Sequence, residues 1–110
     1  MIETTLSQLE TRVKNSGSIS AGQKTELLKL LSTLKSEVLE LSKTKAEHAE
    51  SISGFIERST HEATRNEKNP SLLKHAIDGL QMSVKEFELT HPKLVEDVNY
   101  VSTVLANMGI

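Results

Sequence analysis

The sequence predicts an all-α fold, and three observations carry that expectation. Large apolar residues recur at alternating spacings of four and three, the period of a single helix face. No run alternates apolar and polar residues over the length of a strand, and no hairpin signal joins two such runs. The breaks in the pattern carry helix caps and turn residues, at Ser20, at Asn69-Pro70 and at Thr90-His91-Pro92. The architecture expected is a long helical hairpin or small antiparallel helix bundle. It forms one domain over residues 1–110, with its core completed by oligomerisation.

The first helix is expected at about 2–15, where Ile2, Leu6, Leu9 and Val13 form one stripe and Glu10 and Lys14 stand one turn apart. Asn15-Ser16-Gly17-Ser18 should stop it, with Gly17 as a left-handed end. A capping box, Ser20-x-x-Gln23, then opens the second helix. Its seam reads Leu27, Leu31, Leu34, Val38, Leu41, a 3.5-residue period suited to a coiled coil or bundle, with Leu28, Leu30 and Leu39 widening it.

Continued in the same frame, the seam passes Lys45 and His48, recovers at Ile52 and Phe55, and fades at Ser59 and Glu62. One helix over 21–66 would run about 69 Å at ~1.5 Å per residue. A helix kinked or frayed near 43–54 is the other reading, and both stay open at this point. Asn69 is a natural N-cap with Pro70 suited to the first helical position, so a helix over about 70–89 follows, on Leu73, Ile77, Leu80, Val84 and Phe87. Pro92 opens the last, over about 92–108, on Leu94, Val98, Val101, Leu105 and Met108, with Gly109-Ile110 as its stop.

Composition bounds the function. Leu, Val, Ile and Phe make up 30 of 110 residues, enough to fold but short of core, and residues 42–71 hold only Ile52, Phe55 and Ile56 of that group. Thirteen basic against fifteen acidic side chains give a net charge of −2, spread evenly along the chain. Nucleic-acid binding needs a concentrated basic face, and three aromatics offer no stacking platform. With no cysteine there is no disulfide, thiolate nucleophile or thiolate metal site, in keeping with a reducing cytoplasm. The start Met1-Ile2-Glu3 lacks a signal-peptide pattern, and no apolar run suits a membrane span.

The run Phe87-Glu88-Leu89-Thr90-His91-Pro92, followed by Leu105-Ala106-Asn107-Met108-Gly109-Ile110, resembles a family of short bacterial helical proteins, domain-of-unknown-function family 4404. The likeness extends over the whole chain, and its specific part is residues 84–110. It implies a bacterial source and a helical fold, and it marks Phe87, Glu88, His91, Pro92, Met108, Gly109 and Ile110 as the family-like turn and tail. It implies no activity.

The histidines are the candidates for metal or acid–base work. Glu88-x-x-His91 has the form of half a di-iron carboxylate site, but a complete site needs a second such motif and two further glutamates. His61-Glu62-Ala63-Thr64-Arg65 lacks the second histidine of a zinc-binding helix, so an ion pair of Glu57 with His61 is expected there. His48 falls in the polar part of the seam and His75 has Asp78 three residues on, both read as surface side chains. No nucleophile elbow accompanies the 23 Ser and Thr, and the five glycines are isolated.

The expected function is therefore that of a non-catalytic, cytoplasmic interaction or scaffold module without a cofactor. Leu27, Leu31, Leu34, Val38, Leu41, Ile52 and Phe55 would form its helix-packing or oligomer seam. The partners expected are a second copy of the chain, as a homodimer, and an unidentified protein, with no nucleic acid and no membrane. The alternative is a metal- or small-ligand-binding bundle using Glu88 and His91.

Overall fold

The structure, a computed structural model, describes residues 2–108. Its elements are α1 (Ile2–Asn15), α2 (Ala21–Ser42), α3 (Ala46–Thr64), α4 (Pro70–Val84) and α5 (Pro92–Met108), with a single 3₁₀ turn at Lys85–Phe87 after α4. The predicted stop Gly109-Ile110 lies outside the described residues.

Caps are where local chemistry sets the boundaries. Ser20 Oγ accepts from the Gln23 N–H at 3.2 Å and Gln23 Oε1 accepts from the Ser20 N–H at 3.3 Å, so the box satisfies two otherwise free donors of α2. Asn69 Oδ1 accepts from the Leu72 N–H at 3.1 Å and Pro70 starts α4. Gly17 departs from expectation: among the described residues no glycine has a positive φ. The α1–α2 connection is held by hydroxyls instead, with Ser18 Oγ donating to the Thr64 carbonyl at 2.8 Å and so pinning the loop to the end of α3.

The stretch 21–66 is two helices. The end of α2 tightens as the Lys43 N–H bonds the Glu40 carbonyl, Lys45 leaves helical geometry at φ −133°, ψ 62°, and α3 begins at Ala46. A helix of 22 residues at ~1.5 Å per residue is about 33 Å long. That already fills the longest dimension of the molecule, 37 Å, and a 69 Å helix would leave it. The break lets α3 fold back into the bundle, where it touches each of the other four helices.

The central helix is thus the one poorest in large apolar residues. Its buried positions are Ala49, Ile52, Ser53, Ile56, Ser59, Thr60 and Ala63, a stripe of mostly small side chains that brings neighbouring backbones close on every side. The restart at Ala46 keeps Ile52 and Ser59 inside and moves the alternate seam positions on by one. Ala49, Ile56 and Ala63 occupy the seam that the continuous frame gave to His48, Phe55 and Glu62. Against these pack Leu6, Leu9 and Val13 of α1, Leu80 and Val84 of α4, and Val98, Val101 and Leu105 of α5, all in one core. The first helix lies along both α2 and α3.

Candidate functional site

Leu27, Leu31, Leu34, Val38, Leu41 and Ile52 are each 0–1% exposed within the single chain. The α2 seam is therefore occupied by the chain's own helices. Leu28, Leu30 and Leu39 are half-buried against the same core, so α2 offers no second apolar face. Phe55 departs from its predicted place: it is half-buried at the α3–α4 contact, outside the inner stripe. A Cβ at Gly79 would stand 2.8 Å from Phe55 Cδ1 and 3.0 Å from Cζ, so the absence of a side chain at Gly79 lets the ring lie directly on the α4 backbone.

The family-like turn is built around Phe87, which is buried. His48 of α3 and His91 meet its ring edge-on, with centroids 5.4 and 5.6 Å away. The His91 N–H donates to the Phe87 carbonyl at 2.8 Å, His91 Nδ1 lies 3.0 Å from Thr90 Oγ1, and Pro92 starts α5. His48 Nδ1 approaches Glu86 Oε1 at 3.5 Å. Glu88 is exposed and lines a shallow groove between α4 and α5, and Met108 is buried in the core. The structure gives His91 partners other than Glu88. Among the described residues no three His, Asp or Glu side chains are grouped as a metal site.

Two polar contacts were not read from the sequence. Arg12 of α1 places its Nη2 2.9 Å from His61 Nδ1 on α3. A guanidinium only donates, so Nδ1 accepts and the imidazole proton sits on Nε2. His61 is thus taken by Arg12 in place of Glu57, as Asp78 is taken by Lys74 at 2.9 Å in place of His75. The second is a carboxyl pair. Glu37 of α2 faces Asp97 of α5, and burial, followed by the facing Asp97 carboxylate, pushes Glu37 up to about 7. Lys93 Nζ stands 3.5 Å from Asp97 Oδ2, too long for a hydrogen bond. Both acids flank apolar seams at positions that read as solvated, and only the α2–α5 contact unites them.

The outward side of α4 carries a different pattern. Asp78, Gln81, Met82, Lys85 and Glu88 line one groove with Val95 and Asn99 of α5. Lys74 joins this face through its pair with Asp78. Met82 is 74% exposed, and Leu89, just past Glu88, is 96% exposed. The opposite side of α4 forms, with α3 and Arg12, a cleft of about 760 Å³.

No helix among the described residues is long and apolar enough to cross a membrane. In comparison with known proteins, the family described as Domain of unknown function (DUF4404) matches residues 24–110, leaving α1 and the α1–α2 connection outside the match. No curated protein and no solved structure matches the chain.

Proposed function

For a chain that belongs to the DUF4404 family, we propose the role of a non-catalytic interaction module that pairs with a second copy of itself through the outer face of α4. The module works in the cytoplasm, in keeping with its cysteine-free sequence. The observation that carries this reading is the order of side chains Lys74, Asp78 and Met82 on that face, continued by Lys85 and Glu88 in the turn that follows it.

In a two-fold contact each residue i meets j while j meets i. An antiparallel copy centred at Gln81-Met82 sets Asp78 of one chain against Lys85 of the other and Lys74 against Glu88. The exposed Met82 side chains then meet on the axis. Every opposed pair carries opposite charge, and the desolvated centre is a flexible thioether that packs against itself well. A standard interface covers about 800 Å² per partner. That is about an eighth of the chain's 6420 Å² of surface, within reach of this face with Leu89 and Val95. The buried α2 seam supplies each monomer's own core and takes no part.

The natural sequence contains no cysteine, so a single Met82→Cys reports on the axis without interference. Disulfide formation needs Cα atoms about 4.4–6.8 Å apart. Under mild oxidation Met82→Cys is expected to give a covalent dimer at least tenfold faster than Ser36→Cys, an exposed site on α2. Equal rates for the two would overturn the reading. The alternative of a metal or small ligand held by Glu88 and His91 has no comparable support, since Glu88 faces the α4–α5 groove and His91 is engaged by Thr90 and Phe87.

A further inference from the structure

On the side of the molecule away from the α4 pairing face, we propose that the cleft between α3, α4 and the end of α1 is a binding site for a small organic anion, a carboxylate or phosphate monoester carrying a flat apolar body. At about 760 Å³ the cleft falls within the ~300–1,000 Å³ usual for small-molecule sites. Its apolar surface comes from the Phe55 ring, seated on Gly79, and from Leu72, which is 45% exposed. Around that surface stand Arg12, Arg58, His61 and His75, cationic or titratable groups drawn from three helices.

The charge balance favours an anion. Glu62 lines the cleft too, but Arg65 Nη1 holds its Oε1 at 2.8 Å, so that charge is already compensated. Glu57 is the one other carboxylate in the wall, set against two guanidiniums. Arg12 has a neutral imidazole nitrogen as its partner, which leaves its positive charge whole. Arg58 has no hydrogen bond or ion pair among the described residues. Two guanidinium forks beside an aromatic face are suited to bidentate recognition of a carboxylate or phosphate on a ring. An arriving anion would take the Arg12 donors now given to His61, and would stack its body on Phe55. The cleft is open to solvent, so affinities in the roughly 0.1–1 mM range are in keeping with a ligand of about ten heavy atoms.

The test is a ¹H–¹⁵N NMR titration of the intact chain with three probes, benzoate, phenyl phosphate and benzyl alcohol, followed by the Arg12→Gln/Arg58→Gln variant. Both substitutions are on exposed side chains, and its amide spectrum reports whether the fold is kept. The expected result is saturable shifts confined to the surroundings of Arg12 and to residues 51–62 and 72–79 with benzoate, phenyl phosphate or both. The His61 ring resonances should move in step, as the Arg12 bond is exchanged. Benzyl alcohol should not saturate, and the double variant should lose at least tenfold in affinity. If neither anion saturates by 10 mM, if benzyl alcohol binds equally well, or if the double variant binds unchanged, the proposal is overturned. Failure here leaves the α4 pairing intact, because the two faces share no residue.

Discussion

Glu37 Oε1 and Asp97 Oδ2 are both buried without a hydrogen-bond partner among the described residues, although the two carboxyls face each other across α2 and α5. One proton held by the pair would resolve the conflict, in keeping with burial and the facing Asp97 pushing Glu37 up to about 7. The sign of the effect on stability follows. In the unfolded chain Glu37 titrates near 4.5, so between that value and about 7 the folded state holds the extra proton. Stability from this group is complete below about 4.5 and is lost as the pH rises through 7. Allowing for Glu37's partial access to solvent, the loss is on the order of 2 kcal/mol. Urea unfolding at pH 5 and pH 8 should show Glu37→Gln flattening this decline and exceeding the wild type at pH 8. An unchanged slope would contradict the shared proton. Ser59 makes a second point at this scale: its Oγ is buried without a partner in the middle of α3. Ser59→Ala is therefore expected to raise stability by about 0.5–2 kcal/mol in urea unfolding. Ser59→Leu, which forces bulk between helices in close contact, should lower it by about 1–3 kcal/mol. Neither the carboxyl pair nor the small-residue stripe was legible beforehand, because carboxylates and small side chains such as Ala49, Ser53, Ser59 and Ala63 give no strong apolar period and their partners lie on other helices.

The helices whose cores are leucine, isoleucine and valine declared themselves. Leu27 to Leu41, Leu73 to Val84 and Leu94 to Met108 are buried along the stripes their spacing describes, and Ser20 and Asn69 cap where their side chains allow. Replacing Ser20 by Ala removes the acceptor for the Gln23 N–H. It should cost about 1 kcal/mol in urea unfolding, with faster hydrogen exchange at that amide. The break at residues 43–45 agrees with the reading of a helix kinked or frayed near 43–54, and it stayed one of two readings because Ser42-Lys43-Thr44-Lys45 contains neither glycine nor proline. The chain turns there because α3 gains contacts with four helices by folding back, a tertiary gain that outweighs local preference. The three residues outside the helix reset the phase, which is why Ile56 took the inner place predicted for Phe55. Phe55 instead lies at the surface edge of the α3–α4 contact, where the cleft is.

At the scale of the whole molecule, the shortage of large apolar residues is met by proximity. The radius of gyration is 12.9 Å, against about 13 Å expected for a compact domain of this length, so one chain closes its own core. Small residues at the centre achieve this: α3 brings its neighbours close enough that twenty-odd buried apolar side chains form one cluster. The proposed pairing through α4 would therefore join monomers that are already folded, and would be set by charge order on the surface. The measurement that tests this most directly is sedimentation velocity on the wild type, Asp78→Lys, Lys85→Asp and the double swap. The wild type should pass from the 12.2 kDa chain to twice that mass as concentration rises through the micromolar range. Each single reversal should be monomeric, because it opposes like charges, and the double swap should restore the dimer. A wild type that stays at 12.2 kDa up to several hundred micromolar, or single reversals that pair as well as it does, would contradict the account.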